Sequence, residues 1–192
     1  MSFSAVILAG GISSRMGRDK ALLDVAGKPL LARQIELARK AGAAEVFISG
    51  RANAGYSDFG CRVLEDELPY AWPLAGIARG LDAAREPLLL VLAVDMANVT
   101  GDFLSQLHAR CRQGVGAVPV HNGIVEPLAA FYPKPAAGLI AGLLARAKPG
   151  ASPGAKDFAA DCARAGLAQF VPVSPEDAGL LRSWNCPADL LL

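Results

Sequence analysis

Leu8-Ala-Gly-Gly-Ile-Ser-Ser-Arg-Met-Gly-Arg-Asp-Lys20 is the stretch on which the reading of the fold turns. It overlaps the end of an apolar run, Ser4-Ala-Val-Ile-Leu-Ala9, that reads as a buried strand delivering the chain into a glycine turn. Gly10 and Gly11 let the backbone bend and approach a ligand closely. Successive N–H groups in such a turn can hold phosphate oxygens. Arg15 adds a planar fork of donors and Lys20 a mobile point charge. A glycine turn followed by two cations suits a triphosphate, at the strand end where open α/β sheets gather ligands. The same residues also allow a plain turn with solvated charges. Neither the P-loop spacing nor the dinucleotide fingerprint is present, because Ile12 follows Gly10-Gly11 and no Gly-Lys pair closes the loop at the required distance.

Working outward, strand and helix signals alternate. Pro29 can open a helix, and Leu31, Ile35, Ala38 and Gly42 follow at helical spacing. Glu45 to Ser49 and Arg62 to Glu65 read as strands. Leu74, Ile77, Leu81 and Ala84 define one face of a second helix. Leu88 to Val94 is apolar without alternation, as in a strand covered on both faces. Leu104, Leu107 and Cys111 mark a third helix, with His108 beside that face. Beyond it, Gly116 to Val120 and Val125 to Tyr132 are strand candidates, with Asn122-Gly123 as a hairpin turn. Residues 136–147 and 156–165 look helical, 148–154 form a loop, and Gln169 to Val173 is a late strand. This order predicts a three-layer, Rossmann-like α/β fold with a mostly parallel mixed central sheet, as a single domain over residues 1–192.

Composition narrows the function. A chain of 192 residues can bury roughly 70% of its unfolded surface, so it needs no disulfide or metal to hold a core. Hydrophobic residues make up 53% and the mean hydropathy is +0.33, which excludes intrinsic disorder. The longest apolar run, Leu88 to Val94, is far short of the roughly 20 residues of a spanning helix, and the amino end lacks a basic leader. A cytoplasmic protein without a membrane partner is expected. A net charge of +1 gives no sign of a polyanion-binding surface, so no nucleic-acid partner is expected. Cys61, Cys111, Cys162 and Cys186 are too widely spaced for a zinc knuckle or redox pair and read as reduced thiols. With only His108 and His121, a histidine metal site or a Ser-His-Asp catalyst is disfavoured.

The segment at residues 8–21, Leu-Ala-Gly-Gly-x-Ser-x-Arg-Met-Gly-x-Asp-Lys-Ala, resembles the signature of nucleotidyltransferases, and among these most closely the molybdenum cofactor guanylyltransferases. Further segments resemble later family blocks in the same order: Gly27 to Leu30, Glu65-Asp66, Pro73 to Gly76, Val94 to Met96, Glu126 to Tyr132 and Asn185 to Leu190. The resemblance implies transfer of GMP from GTP to the phosphate of molybdopterin, with release of diphosphate and use of Mg²⁺, or Mn²⁺ in its place. It implies main-chain nucleotide contacts at Leu8, Ala9, Gly10 and Gly11. Lys20 would meet the phosphates, Ser49 and Asp66 the nucleoside side, and Asp95 the metal. Arg15, Lys20 and Asp95 form the expected catalytic set. Asn185 is a candidate second metal ligand. GTP and the molybdenum cofactor are the implied partners, with acceptor molybdoenzymes or their chaperones receiving the product, and the chain is expected as a monomer or weak homo-oligomer.

Some positions depart from the family pattern. Trp72 precedes Pro73, Ala97 replaces a common Pro, Ser183-Trp-Asn-Cys-Pro187 lacks the first Asn of its block, and 148–156 lacks the usual Arg, Arg146 standing just before it. These changes bear on the acceptor and on base choice. A related enzyme using CTP or another phosphate acceptor, and a non-catalytic GTP-binding regulator, are the competing readings.

The chemistry suits the scarcity of histidine. A phosphate acceptor is already anionic near neutral pH, its second pKa being about 6, and needs no general base. Charge neutralisation and in-line alignment carry such a transfer. Several residues also have plainer readings. Asp95 alone could cap a helix or sit in a turn. Glu65-Asp66 could be a solvated strand end. Tyr70 and Trp72 suit packing more than a nucleobase slot. His121 fits a hairpin, His108 a helix face, and Cys186 an inert buried thiol.

Overall fold

The computed structural model describes residues 1–10, 19–52, 54–65, 73–146 and 154–184. The described strands are β1 (Phe3–Leu8), β2 (Asp24–Val25), β3 (Lys28–Pro29), β4 (Glu45–Gly50), β5 (Arg62–Glu65), β6 (Leu88–Ala93), β7 (Gly116–His121), β8 (Ile124–Val125), β9 (Ala129–Pro133) and β10 (Ala168–Pro172). The helices are α1 (Leu30–Lys40), α2 (Leu74–Ala83), α3 (Gly101–Ala109), α4 (Ala137–Arg146) and α5 (Ala155–Arg164).

β1 and β6 are buried along their whole lengths, as expected for apolar runs covered on both faces. Their side chains alternate between two cores. Phe3, Ala5 and Ile7, with Leu88, Leu90 and Leu92, pack against Leu31 and Ile35 of α1 and Leu104 and Leu107 of α3. Val6, Leu8, Leu89 and Val91 turn the other way, onto Leu74, Ile77 and Leu81 of α2, Ile140 of α4 and Phe158 of α5. Two helical layers therefore enclose one sheet, in the predicted three-layer arrangement.

The sheet runs β10–β7–β9–β6–β1–β4–β5, with β8 folded onto β7. β5, β4, β1 and β6 are parallel in sequence along it, and β7 and β10 are parallel to each other. β9 enters antiparallel between β6 and β7. The sheet is thus mixed and mostly parallel, as the sequence predicts.

Three local expectations are corrected. The strand expected over Val125 to Tyr132 is two, β8 and β9. Pro127 has no N–H to give a ladder, and the Glu126 carboxylate accepts from the Leu128 N–H at 2.9 Å, which bends the chain between them. Pro29 is not the first residue of α1. It closes a small β2–β3 hairpin, and the helix begins at Leu30. The third helix stops before Cys111, which lies past its end. The Asn122-Gly123 hairpin stands as expected, with both residues at positive φ (48° and 75°) and His121 paired with Ile124.

His108 is a packing residue. Its ring lies 4.9 Å from Phe3 and 5.2 Å from Phe131, and burial pushes its pKa down. Cys61, Cys111 and Cys162 are free, and burial raises the Cys111 and Cys162 thiols to about 12, where they are inert. No helix among the described residues is long and apolar enough to cross a membrane.

Candidate active site

β1, β4 and β6 end at the same edge of the sheet, and hydrogen bonds carry the ladder one step past β1 and β6. The Ala9 N–H donates to the Ser49 carbonyl at 2.8 Å, and the Val94 N–H donates to the Leu8 carbonyl at 3.0 Å. Leu8 has its side chain in the core, and Gly10 follows Ala9 beyond the ladder. Asp95 follows Val94 directly and emerges half-buried at that edge.

Lys20 reaches the same place from a different part of the chain. It opens a 3-10 turn, Lys20–Leu22, whose Ala21 is fully buried. The ammonium lies 3.3 Å from Asp95 Oδ2 and donates to the Trp184 carbonyl at 2.9 Å. Their side chains are 18% and 25% exposed, so the pair is shielded yet open to a ligand. Asp95 is no helix cap. Thr100 caps α3, its hydroxyl accepting from the Phe103 N–H at 3.2 Å. Lys20 is the only described side chain to which the Asp95 carboxylate is bonded.

Three elements hold the Asp95 loop. From α1, the Gln34 amide donates to the Met96 carbonyl at 3.0 Å and approaches that of Val94 at 3.5 Å. From the carboxyl side, the Trp184 N–H donates to the Asp95 carbonyl at 2.9 Å. Within the loop, the Met96 N–H returns to the Ala93 carbonyl at 3.1 Å.

A second polar cluster anchors the turn that carries Lys20. Asp19 Oδ1 accepts from the Ala21 N–H at 3.0 Å. Its Oδ2 accepts from the Arg51 guanidinium at 2.8 Å and the Tyr56 hydroxyl at 2.7 Å. The same hydroxyl lies 3.2 Å from the Ala9 carbonyl, so Tyr56 ties the Lys20 turn to the end of β1. Tyr56 is 2% exposed, and burial raises its pKa. Its ring fits over Gly50, where a Cβ would come within 2.4 Å of it.

Ser49 is fully buried, and its hydroxyl lies so close to α2 that a Cβ on Gly76 would sit 2.4 Å from it. Glu65, at the end of β5, is exposed. Glu126 was quoted in the sequence only as part of a block. The Ala93 N–H donates to the Leu128 carbonyl at 2.8 Å, and the Glu126 N–H donates to the Pro119 carbonyl at 3.0 Å, close enough to Asp95 for its charge to act on the Glu126 carboxyl. Burial first, then the Asp95 charge, push its carboxyl above the usual range, opposed by the Leu128 N–H and Lys156. Gly11, Arg15, Asp66, Tyr70, Trp72, Asn185, Cys186 and most of the 148–154 loop lie outside the described residues.

The structure therefore brings Leu8, Ala9, Gly10, Ser49, Lys20 and Asp95 to one edge, with Lys20 and Asp95 in direct contact although 75 residues apart. Gln34, Tyr56, Asn98 and Trp184 support that edge and carry no signal of their own in the sequence. The one clue was the place of Trp184, next to Asn185.

Comparison with known proteins bears on the same regions. A family profile described as "MobA-like NTP transferase domain" matches residues 5–182. A relative from Opitutus terrae, named "Probable molybdenum cofactor guanylyltransferase", is 36% identical over 191 residues, covering 98% of this chain and 93% of its own. A Pseudomonas fluorescens protein named "Molybdenum cofactor guanylyltransferase" is 35% identical over 135 residues, or 68% of this chain and 67% of its own. Among solved structures, molybdopterin-guanine dinucleotide biosynthesis protein A from Archaeoglobus fulgidus superposes with a TM-score of 0.75 over 98% of this chain and 95% of its own, at 20% identity, a likeness of fold. By the profile match and the Opitutus relative, the chain belongs to the family of MobA-like NTP transferase domains.

Proposed function

We propose that this protein transfers GMP from GTP to the phosphate of molybdopterin. An acceptor phosphate oxygen attacks the α-phosphorus of GTP. The bond from that phosphorus to the bridging oxygen breaks, and diphosphate leaves. The observation that carries the reading is the contact between Lys20 and Asp95 at the end of the parallel strands, in a chain of this family.

The attacking phosphate is already an anion, so the site needs positive charge and alignment rather than a base. Lys20 offsets charge on the triphosphate, assisted by Arg15. To do so the ammonium moves off Asp95, which the partly open edge around the pair allows. The main chain at Leu8, Ala9, Gly10 and Gly11 forms the floor under the phosphates. Asp66 and the end of β4 at Ser49 face the nucleoside, Ser49 through its backbone, since its hydroxyl is buried against α2.

A hard divalent cation fits Asp95, whose Oδ1 has no partner among the described residues. No three acidic, histidine or cysteine side chains cluster among the described residues, and substrate phosphates would complete the ligand set. Asp95, with Asn185, would hold Mg²⁺ or Mn²⁺. Such an ion neutralises phosphate charge when bound. The reading includes action in the cytoplasm on GTP and molybdopterin, hand-over to acceptor molybdoenzymes or their chaperones, no nucleic-acid or membrane partner, and a monomer or weak homo-oligomer.

The test is diphosphate release with each of the four nucleoside triphosphates, with and without molybdopterin. The expected result is release with GTP that depends on molybdopterin. Release with CTP alone overturns the base choice. GTP binding without release under any condition makes the protein a binder and not an enzyme.

A further inference from the structure

Two side chains alone do not fix the position of the Lys20 ammonium. Trp184 meets the Asp95 region three times. Its N–H donates to the Asp95 carbonyl at 2.9 Å, its carbonyl accepts from Lys20 Nζ at 2.9 Å, and its indole Nε1 donates to Asn98 Oδ1 at 3.1 Å. Asn98 in turn donates from Nδ2 to the Gly179 carbonyl at 3.2 Å, in the 3-10 turn Ala178–Leu181 that precedes Trp184. The carboxyl-terminal stretch is thereby stitched to the loop after β6 at two places, and the carbonyl between them points at Lys20. Trp184 also packs, partly buried, against the core under α1 and α3.

A lysine side chain has many rotamers, and its flexible stem leaves an unheld ammonium free to wander. A fixed carbonyl at hydrogen-bond distance selects one arrangement in advance. Gains of this kind come from geometry set before the reaction and can be lost with displacements of about 1 Å.

We propose that the Trp184–Asn98 pair is a positioning strap for Lys20. The indole–amide bond fixes the Trp184 peptide, and that peptide's carbonyl holds the ammonium at the phosphate site. Neither side chain carries charge into the reaction, so both act through Lys20. The proposal rests on the role given to Lys20 above.

Trp184→Phe keeps an aromatic ring and the peptide and removes the indole N–H together with the five-membered half of the indole. It is expected to lower the turnover of diphosphate release roughly 10-fold while the KM for GTP moves less than about 3-fold, the mark of a contact used mainly in the transition state. Asn98→Leu is expected to match it. Asn98→Asp keeps an acceptor for the indole and is expected to recover most of the loss. In a Lys20→Ala background, Trp184→Phe is expected to cost nothing further, because residues that act as a unit are not additive. A readout without turnover is the rate of amine acetylation at Lys20 followed by mass spectrometry, with Lys28 as internal reference. It is expected to rise severalfold in Trp184→Phe.

The strap is overturned if Trp184→Phe lowers only the melting temperature, if its cost persists in full without Lys20, or if Lys20 acetylation is unchanged. If Lys20→Ala itself keeps full turnover, the underlying role of Lys20 fails, a different result from failure of the strap.

Discussion

Two aspartates lie at the carboxyl edge of the sheet, and their surroundings differ in kind. Asp19 accepts from a backbone N–H, a guanidinium and a tyrosine hydroxyl, so both its oxygens are occupied. Asp95 touches one ammonium, through one oxygen, and its other oxygen has no partner among the described residues. A carboxylate saturated with donors is a strut, because every bond it makes is complete without a ligand. A carboxylate left under-coordinated at the rim of a sheet is unfinished until something arrives. The two are linked through neighbours in sequence, since Asp19 sets the turn on which Lys20 stands.

The contrast can be broken most directly at Asp95. Asp95→Asn is expected to lower transfer activity roughly 10³-fold, the upper end for loss of one electrostatic contact, while the melting temperature stays within about 3 °C. Thermal unfolding beside a diphosphate assay checks this, and a variant that keeps its turnover below its melting temperature but melts far lower makes Asp95 the strut. Lys20→Ala is expected to lower turnover roughly 10²-fold with the fold intact, and near-normal kinetics remove it from the phosphate site. Tyr56→Phe works on the other cluster. Losing one hydroxyl bond to Asp19 is expected to lower stability by about 1 kcal/mol, seen in urea unfolding, with only a few-fold loss of activity. A larger effect on activity than on stability would make Tyr56 part of the chemistry.

The smallest effect sharpens the comparison from the opposite wall. Glu126 lies within reach of the Asp95 charge, and its carboxyl is held above its ordinary range, chiefly by burial. For an acid raised in the folded state, the stability it contributes is full below its unfolded value and is lost as pH rises through the folded one. Glu126→Gln stays neutral and can still accept from the Leu128 N–H. It is expected to match the parent near pH 4 and to melt higher by roughly 2 °C at pH 7–8, the scale of about 0.5–1 kcal/mol for a chain of this size. A difference that shrinks as pH rises reverses the sign and refutes the argument.

Part of this was legible in the chain. β1 and β6 are runs of apolar residues without alternation, and only a strand between two helical layers accommodates them, so layer order followed from pattern. The hairpin at Asn122-Gly123 was legible because those residues tolerate positive φ at low cost. The hairpin between β2 and β3 was not, because it turns on Ala26-Gly27, and alanine gives no sign of a positive φ. The Glu126 bend was hidden for another reason. Its decisive hydrogen bond joins a side chain to a backbone N–H two residues on, inside what reads as a continuous apolar run.

The sequence by itself determined the alternating fold and the residue types at Lys20 and Asp95, since these follow from local period and short-range chemistry. Asp95 does sit in a turn, closed by the Met96 N–H on the Ala93 carbonyl, and only the fold sets the ammonium of Lys20 beside it. Only the tertiary structure decided which polar groups support the site. Gln34, Tyr56, Asn98 and Trp184 act on partners 37 to 86 residues away. Such pairings arise when layers pack and strands take their order. No local pattern encodes them, because each residue by itself is satisfied equally well by water.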